Sequence, residues 1–492
     1  MNFDGIHDPE MLRQAVGILD QENRKLIEQV LELKRKVREL EGKEPQQLAL
    51  EVSELERQLQ IRNRMLFGER SEKRGPKHPA SETVREQPGH GPRLQPALPL
   101  LETRHALDDA DRVCSSCGGE LQVWEGQTED SEEIESIQRC FIRVLHKRQK
   151  YRCACGGCIE TALGPKKLIV GGRYAPSVAV HIAVDKYSDH LPLERQARIM
   201  TRQGLVIESQ TLWDQIDALA KHLTPAYERL HSYVLDHGVL GADETPWRLM
   251  GHQGKASKRW YAWALCAPNA VIYRLDESRS AEAGRAILRK FAGTLVCDGY
   301  TAYAALQKQG ASFRIAHCWA HVRRKFIEAE QSAPTACKEI LDLIGELYAV
   351  EREMKETPPD QLLAARQTRS KAVLQQIQRW ALQTKSLPQS ALGKAIGYMS
   401  SLWPGLQVFI DDPRVSPDNN SVERALRSVV LGRKNHYGSR SKRGTEVAAL
   451  FYSLLESAKL ADVDPEQYLK VATRAALDGV QIPLPHEITL AP

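Results

Sequence analysis

Leucine recurs at every seventh residue near the start of this chain, at Leu12, Leu19, Leu26, Leu33 and Leu40. Val16, Asn23, Val30 and Val37 each fall four residues after a leucine, so two columns run along one side of a helix. Leucine at d with valine at a favours a parallel two-stranded coiled coil, and the single polar Asn23 in the seam would set register and strand number. The alternative is a lone amphipathic helix packed on its own domain. Gly42 and Pro45 interrupt the repeat, which resumes out of phase at Leu48, Val52, Leu55, Leu59 and Leu66. A leucine-zipper region is therefore expected over 8–69. Residues 70–104, rich in Pro, Gly, Lys, Arg and Glu, suit a linker.

Cysteine use narrows the next segment. Six of the ten cysteines lie between Cys114 and Cys158. Nothing at the N-terminus resembles a secretion signal, so a disulfide framework is not expected and a metal cluster is. Cys114-Ser-Ser-Cys117-Gly-Gly is a knuckle of the kind that lends two thiolates to a tetrahedral zinc. The second pair comes from Cys153, Cys155 and Cys158, three residues competing for two places, while Cys140 reads as a packed thiol. A small zinc ribbon is expected over 105–165. No run of roughly 18 apolar residues occurs, so no membrane span is expected, and the protein reads as cytoplasmic. The net charge of +5 is too small to identify a partner by itself.

Residues 174–235 have helical spacing. Leu193 to Met200, then Gln203-Gly204-Leu205, then Ser209 to Ile216 gives helix, glycine turn and helix, the outline of a DNA-reading motif and also of many ordinary helical domains. After residue 237 the apolar runs become short and β-branched or aromatic. The order is three strands, a helix, a strand, a helix and a strand, with acids closing the first and fourth strands at Asp243 and Asp298. That is the order of a ribonuclease-H-like core, in which those two strands adjoin. Carboxylates brought so close repel unless a divalent cation offsets them. Magnesium or manganese would serve, and a pair of ions suits in-line phosphoryl displacement.

The third acid is expected on a helix capped by Asn420 or Ser421, where Val422, Ala425, Leu426, Val429 and Val430 form an apolar stripe and Glu423 borders it. A surface pair between Glu423 and Arg427 is the competing reading. Beyond it, residues 424–443 carry Arg424, Arg427, Arg433, Lys434, Arg440, Lys442 and Arg443 and no acid, as a phosphate backbone would require. The core is thus expected over 236–326 and 411–460. A helical insertion over 327–410, broken at Pro334, Pro358-Pro359 and Pro388, separates the parts, and a helical tail covers 461–492. The fold class is multidomain α+β.

Taken in order, these motifs resemble the IS66-type insertion-sequence transposases over nearly the whole chain. The resemblance rests on Leu66-Phe-Gly-Glu-Arg-Ser-Glu72-Lys, the Cys114 knuckle, Lys186 to Arg195, Ala242-Asp-Glu-Thr-Pro246 and Cys297-Asp-Gly-Tyr-Thr-Ala-Tyr303. His317 to Phe326, Asn419-Asn-Ser-Val-Glu-Arg424 and Gly432-Arg-Lys-Asn435 complete it. It implies an Asp-Asp-Glu triad of Asp243, Asp298 and Glu423, and it favours Asp243 over Glu244. It implies cutting at the element's ends and joining to target DNA, with two magnesium ions per site, structural zinc, dimers or larger assemblies, accessory proteins of the same element, and a place at the bacterial nucleoid. The sequence departs from the family at Gly156, where the second zinc pair usually continues, so the choice among Cys153, Cys155 and Cys158 stays open. His317, Cys318 and His321 read as packing rather than a second zinc site. A DNA-binding regulator without catalysis, and a nuclease that cuts but never joins, are the competing functions.

Overall fold

The computed structural model describes residues 141–152, 159–250 and 257–488. The coiled coil, the linker and all five cysteines considered for zinc lie outside the described residues. A short antiparallel ribbon, β1 (Lys150–Arg152) and β2 (Ile159–Thr161), flanks the second cysteine group in sequence.

Three helices follow. α1 (Pro176–Tyr187) begins on proline, whose missing N–H costs nothing in a first turn. α2 (Leu193–Arg202) ends in a turn through Gly204, where a φ of 86° favours a residue without Cβ. α3 (Ser209–Leu235) buries Leu212, Ile216, Leu219, Leu223 and Leu230 at helical spacing. The helix, glycine turn and helix are thus present as secondary structure. Among the described residues no helix is long and apolar enough to cross a membrane.

β3 (Val239–Leu249), β4 (Lys258–Cys266) and β5 (Val271–Asp276) form an antiparallel meander with Asp243 opposite Ala264. α4 (Ala281–Leu288) leads to β6 (Thr294–Cys297), which pairs parallel with β3, and α5 (Thr301–Lys308) leads to β7 (Arg314–His317), parallel to β6. The strand order is β5-β4-β3-β6-β7. This mixed α+β core is consistent with a ribonuclease-H-like fold. One detail differs from expectation: β3 does not stop at its acid but runs on to Leu249. The buried rings of Trp247 and Trp260, opposite one another, extend the ladder past Asp243, where the apolar run ends.

Between β7 and the third-acid helix come α6 (Trp319–Ala329), α7 (Pro334–Glu353), α8 (Pro359–Ala365), α9 (Lys371–Gln383) and α10 (Ala391–Leu406). They share a core of their own, with Trp319, Phe326, Ile344, Ile377 and Met399 at its centre. Pro334 and Pro359 start helices, so two of the prolines that mark breaks in the sequence are first-turn residues, while Pro388 lies in a turn. A π-turn at Arg366–Ser370 points the buried Arg366 inward. Its Nε and Nη2 reach Glu351 at 2.8 and 2.7 Å, and its Nη1 donates to the carbonyls of Phe409, Asp412 and Val415. Those bonds hold the approach to α11 (Asn420–His436).

α11 lays Val422, Ala425, Leu426 and Val429 on the sheet, with Val430 only half-buried. α12 (Lys442–Leu460) seals the β5 edge: the N–H groups of Val271 and Tyr273 donate to Ser457 Oγ and Ser453 Oγ at 2.9 and 2.8 Å. An open strand edge would otherwise invite pairing with another chain. α13 (Pro465–Asp478) buries Tyr468, Leu469 and Ala472 in the main core.

Candidate active site

Side chains along β3 alternate between faces, and the two acids at its middle meet different surroundings. Glu244 is buried, accepts from Arg279 Nε at 2.6 Å and from the Tyr303 hydroxyl at 3.0 Å, and is ion-paired with Arg279. The Arg279 guanidinium lies 3.8 Å from the centre of the Tyr300 ring. Tyr300 donates its hydroxyl to the Arg279 carbonyl, and its amide to Asp298 Oδ1 at 2.9 Å. Burial raises the Glu244 carboxyl above its ordinary range in spite of Arg279.

Asp243 faces the other way. Gly241, two residues earlier on that face, has room for no side chain, because a Cβ would come within 2.8 Å of Asn419 Oδ1. Asp243 Oδ1 accepts the amide of Glu244 at 2.8 Å. Burial pushes its carboxyl up to about 7, and the charges of Glu244, Asp298 and Glu423 push the same way. Asp298 follows the last residue of β6. Gly241 is level with Val296, the last pair of the parallel register, and Asp243 and Asp298 each come two residues later in their own segments.

Glu423 comes from the first turn of α11. The cap of that helix is Asn419, not Asn420 or Ser421, and its side chain makes no cap bond. Asn419 Nδ2 instead donates to the carbonyl of Ala242 at 2.7 Å, and its amide to Cys318 Sγ at 3.2 Å. The residue that would have capped the helix ties it to the strand beside Asp243. Glu423 Oε1 is buried without a hydrogen bond, and His321 Nε2 is 3.7 Å from it. His317 and Cys318 pack, with the His317 ring where a Cβ on Gly405 would collide.

Among the described residues no three His, Cys, Asp or Glu side chains converge closely enough to hold a metal ion in this conformation. The donor chemistry nonetheless suits a hard divalent cation. Asp298 and Glu423 both raise the proton affinity of Asp243, Glu423 Oε1 is buried without a hydrogen bond, and Arg279 is already committed to Glu244.

The expected DNA-contact residues separate into two kinds. Arg424, Arg427, Lys434, Arg440 and Lys442 are exposed. Arg433 is half-buried and donates to Thr245 Oγ1 at 3.2 Å and to the Pro246 carbonyl. Arg443 is paired within the protein, to Asp217 at 2.7 Å and Glu446 at 3.1 Å. Sequence reasoning missed Arg279, Tyr300, Tyr303 and Asn419. The parity of adjacent acids on one strand was the available signal, since one of the two had to face inward.

Residues 171–447 match a family described as Transposase IS66 family. Three proteins of Sinorhizobium fredii (strain NBRC 101917 / NGR234) are similar over most of the chain. "Uncharacterized protein y4jD" is 34% identical over 76% of this chain and 76% of its own length. "Uncharacterized protein y4qI" is 31% identical over 74% and 71%, and "Uncharacterized protein y4hP" 27% over 75% and 71%.

Proposed function

The chain belongs to the IS66 family of transposases, and we propose that it cuts and joins DNA with Asp243, Asp298 and Glu423 as its catalytic acids. What supports the reading is one spot: burial and the neighbouring Glu244 raise Asp243 to about 7, and Asp298 and Glu423, from another strand end and a distant helix, lie near enough to push the same way. Acids near enough to oppose the ionisation of Asp243 cost a fold stability, and a divalent cation that draws them together is the ordinary reason to accept that cost. Asp243, Asp298 and Glu423 would hold magnesium or manganese. Such ions, when bound, activate the attacking oxygen and stabilise the leaving one in an in-line displacement.

The chain's own groups do the positioning. Asn419 and Gly241 press the first turn of α11 onto β3, which sets how far Glu423 stands from Asp243. The Glu244–Arg279–Tyr300 contacts steady the Asp298 loop. Arg424, Arg427, Arg433 and Lys434 line the phosphates, with Arg440 and Lys442 further along. The same reading pairs copies through the zipper over 8–69, with zinc on Cys114, Cys117 and two of Cys153, Cys155 and Cys158. DNA ends of the element are the first substrate, and target DNA is the second.

The test is strand transfer with magnesium, comparing the unaltered protein with Asp298→Asn on DNA carrying the element's ends, and measuring binding in parallel. Joined products from the unaltered protein alone are expected. Joining by both proteins would overturn the assignment of Asp298, and cutting without joining would leave a nuclease.

A further inference from the structure

Past its acids the β3–β4 hairpin carries positive charge on both strands. Arg248 stands directly opposite Arg259, and Lys258 is next in line opposite Leu249. All three cations are exposed. Like charges in cross-strand positions weaken a hairpin, so this arrangement costs the fold stability.

More cations are brought to the same arm by backbone bonds. The Ser439 amide donates to the Arg248 carbonyl at 3.0 Å, and the Met250 amide to the Ser439 carbonyl at 2.8 Å. Gly438 makes the turn at a φ of 117°, where a Cβ would run into the Arg248 carbonyl. The stitching delivers Arg440 to the hairpin. Arg433 is bonded to Thr245 and Pro246 on the same strand, and both burial and the Arg248 charge oppose its protonation. Behind them Lys186, in the last turn of α1, has its ammonium 5.4 Å from the Tyr187 ring centre. Burial, then the charge of Arg440, lowers its pKa to about 8.

Among the described residues the ion pairs with carboxylates include none of these six cations. The protein pairs arginines elsewhere, as with Arg414 on Asp412 and Arg443 on Asp217. Arg248 lies on the strand that carries Asp243, and Lys258 and Arg259 lie on its hairpin partner. Five residues of strand separate Asp243 from Arg248, about 17 Å at the usual rise and roughly half a turn of duplex, and the odd spacing puts Arg248 and its partner Arg259 on the Glu244 face of the hairpin.

We propose that Arg248, Lys258, Arg259, Arg433, Arg440 and Lys186 form a phosphate-binding ridge that grips the DNA backbone half a turn from the acids. The inference rests on the reading above for DNA as the ligand, but not for the chemistry at the acids. A ridge of this kind binds phosphodiesters of any sequence and releases counterions as it does so. It also makes an unusual demand: residues that weaken the free fold strengthen the complex.

The experiment uses the full chain and a short duplex of arbitrary sequence, without divalent metal, and measures affinity against salt together with melting temperature. Arg248→Gln, Arg259→Gln and Lys186→Met are each expected to weaken binding several-fold. Each should make the plot of log affinity against log salt shallower by about one, with the melting temperature unchanged or raised. Arg443→Gln should do the reverse, lowering the melting temperature and sparing the salt slope. Variants that keep full affinity and slope would overturn the ridge, as would variants that melt earlier, which would make these cations structural. An unaltered protein that does not bind the duplex would overturn it as well. If the variants bind weakly as expected but the unaltered protein never cuts DNA with magnesium, the catalytic reading falls and the ridge stands.

Discussion

Arg366 and Asp243 are both charged groups drawn inward, and their surroundings differ in kind. Arg366 spends its donors on two oxygens of Glu351 and three backbone carbonyls. Asp243 accepts one amide and otherwise faces acids. The first charge is balanced inside the fold and holds the insertion to the approach of α11. The second meets, beyond that one amide, the like charges of Glu244, Asp298 and Glu423. A charge left unbalanced by the protein points to something the protein binds. The same contrast separates the paired Arg443 from the unpaired Arg248 and Arg259.

Asp298→Asn should have the largest effect. If the acids serve a metal, strand cleavage should fall on the order of 10³-fold or more, the scale of several kcal/mol of transition-state charge. Duplex binding should persist, and the melting temperature should hold or rise as repulsion is relieved. A melting temperature that drops with activity would mean that the acids are structural after all.

Arg366→Met tests the balanced charge. Leaving Glu351 half-buried and alone should cost about 3 kcal/mol in urea unfolding, and replacing Glu351 by Leu in the same chain should recover part of it. A cost under about 1 kcal/mol would show that this network, too, contributes little to the fold.

A smaller effect should appear with pH. Asp243 holds its proton up to about 7 in the folded chain, well above an ordinary aspartate. The folded state therefore binds more protons than the unfolded state between the usual carboxylate range and about pH 7, and stability falls as pH rises through that window. Melting temperatures in a chelating buffer should decline from about pH 4 to about pH 7 more steeply for the unaltered protein than for Asp243→Asn. Equal slopes would remove the strain assigned to Asp243.

Smallest of all, Tyr303→Phe removes one hydroxyl from Glu244 and should cost about 1 kcal/mol. Its value is comparative: Glu244 keeps Arg279, so the loss should be slight in denaturant titration. A large loss would show that the Arg279 pair is weaker than its 2.6 Å contact suggests.

Much of this was legible in the residues. The alternation of short apolar runs with helical spacing predicts the order of strands and helices from Val239 to Phe326, because burial on a sheet and on a helix imposes different periods. The acids at 243 and 298 could be read as neighbours once the first and fourth strands were taken to adjoin, and β3 does pair with β6. Less legible was anything that depends on partners distant in sequence. Asp-Glu-Thr-Pro has the look of a strand end, yet Trp260 across the ladder keeps β3 going. Asn419 has the look of a loop residue before a cap, and its amide is instead a tie to Ala242, 177 positions away. Pro334 and Pro359 look like breaks, and they begin helices.

What the sequence determined by itself was therefore local: which segments are strand or helix, which residue types are acidic or basic, and that a purely basic run follows Glu423. Only the tertiary structure decided which charges are compensated. Glu244 and Asp243 are chemically alike and adjacent, but strand alternation sends one to Arg279 and Tyr303 and the other toward Asp298 and Glu423. Arg440 and Arg443 are close in one basic run, and folding gives Asp217 to the second and leaves the first beside Lys186. Compensation is a relation between groups far apart in the chain, and it weakens with their distance in space, so it is established only once the chain has folded.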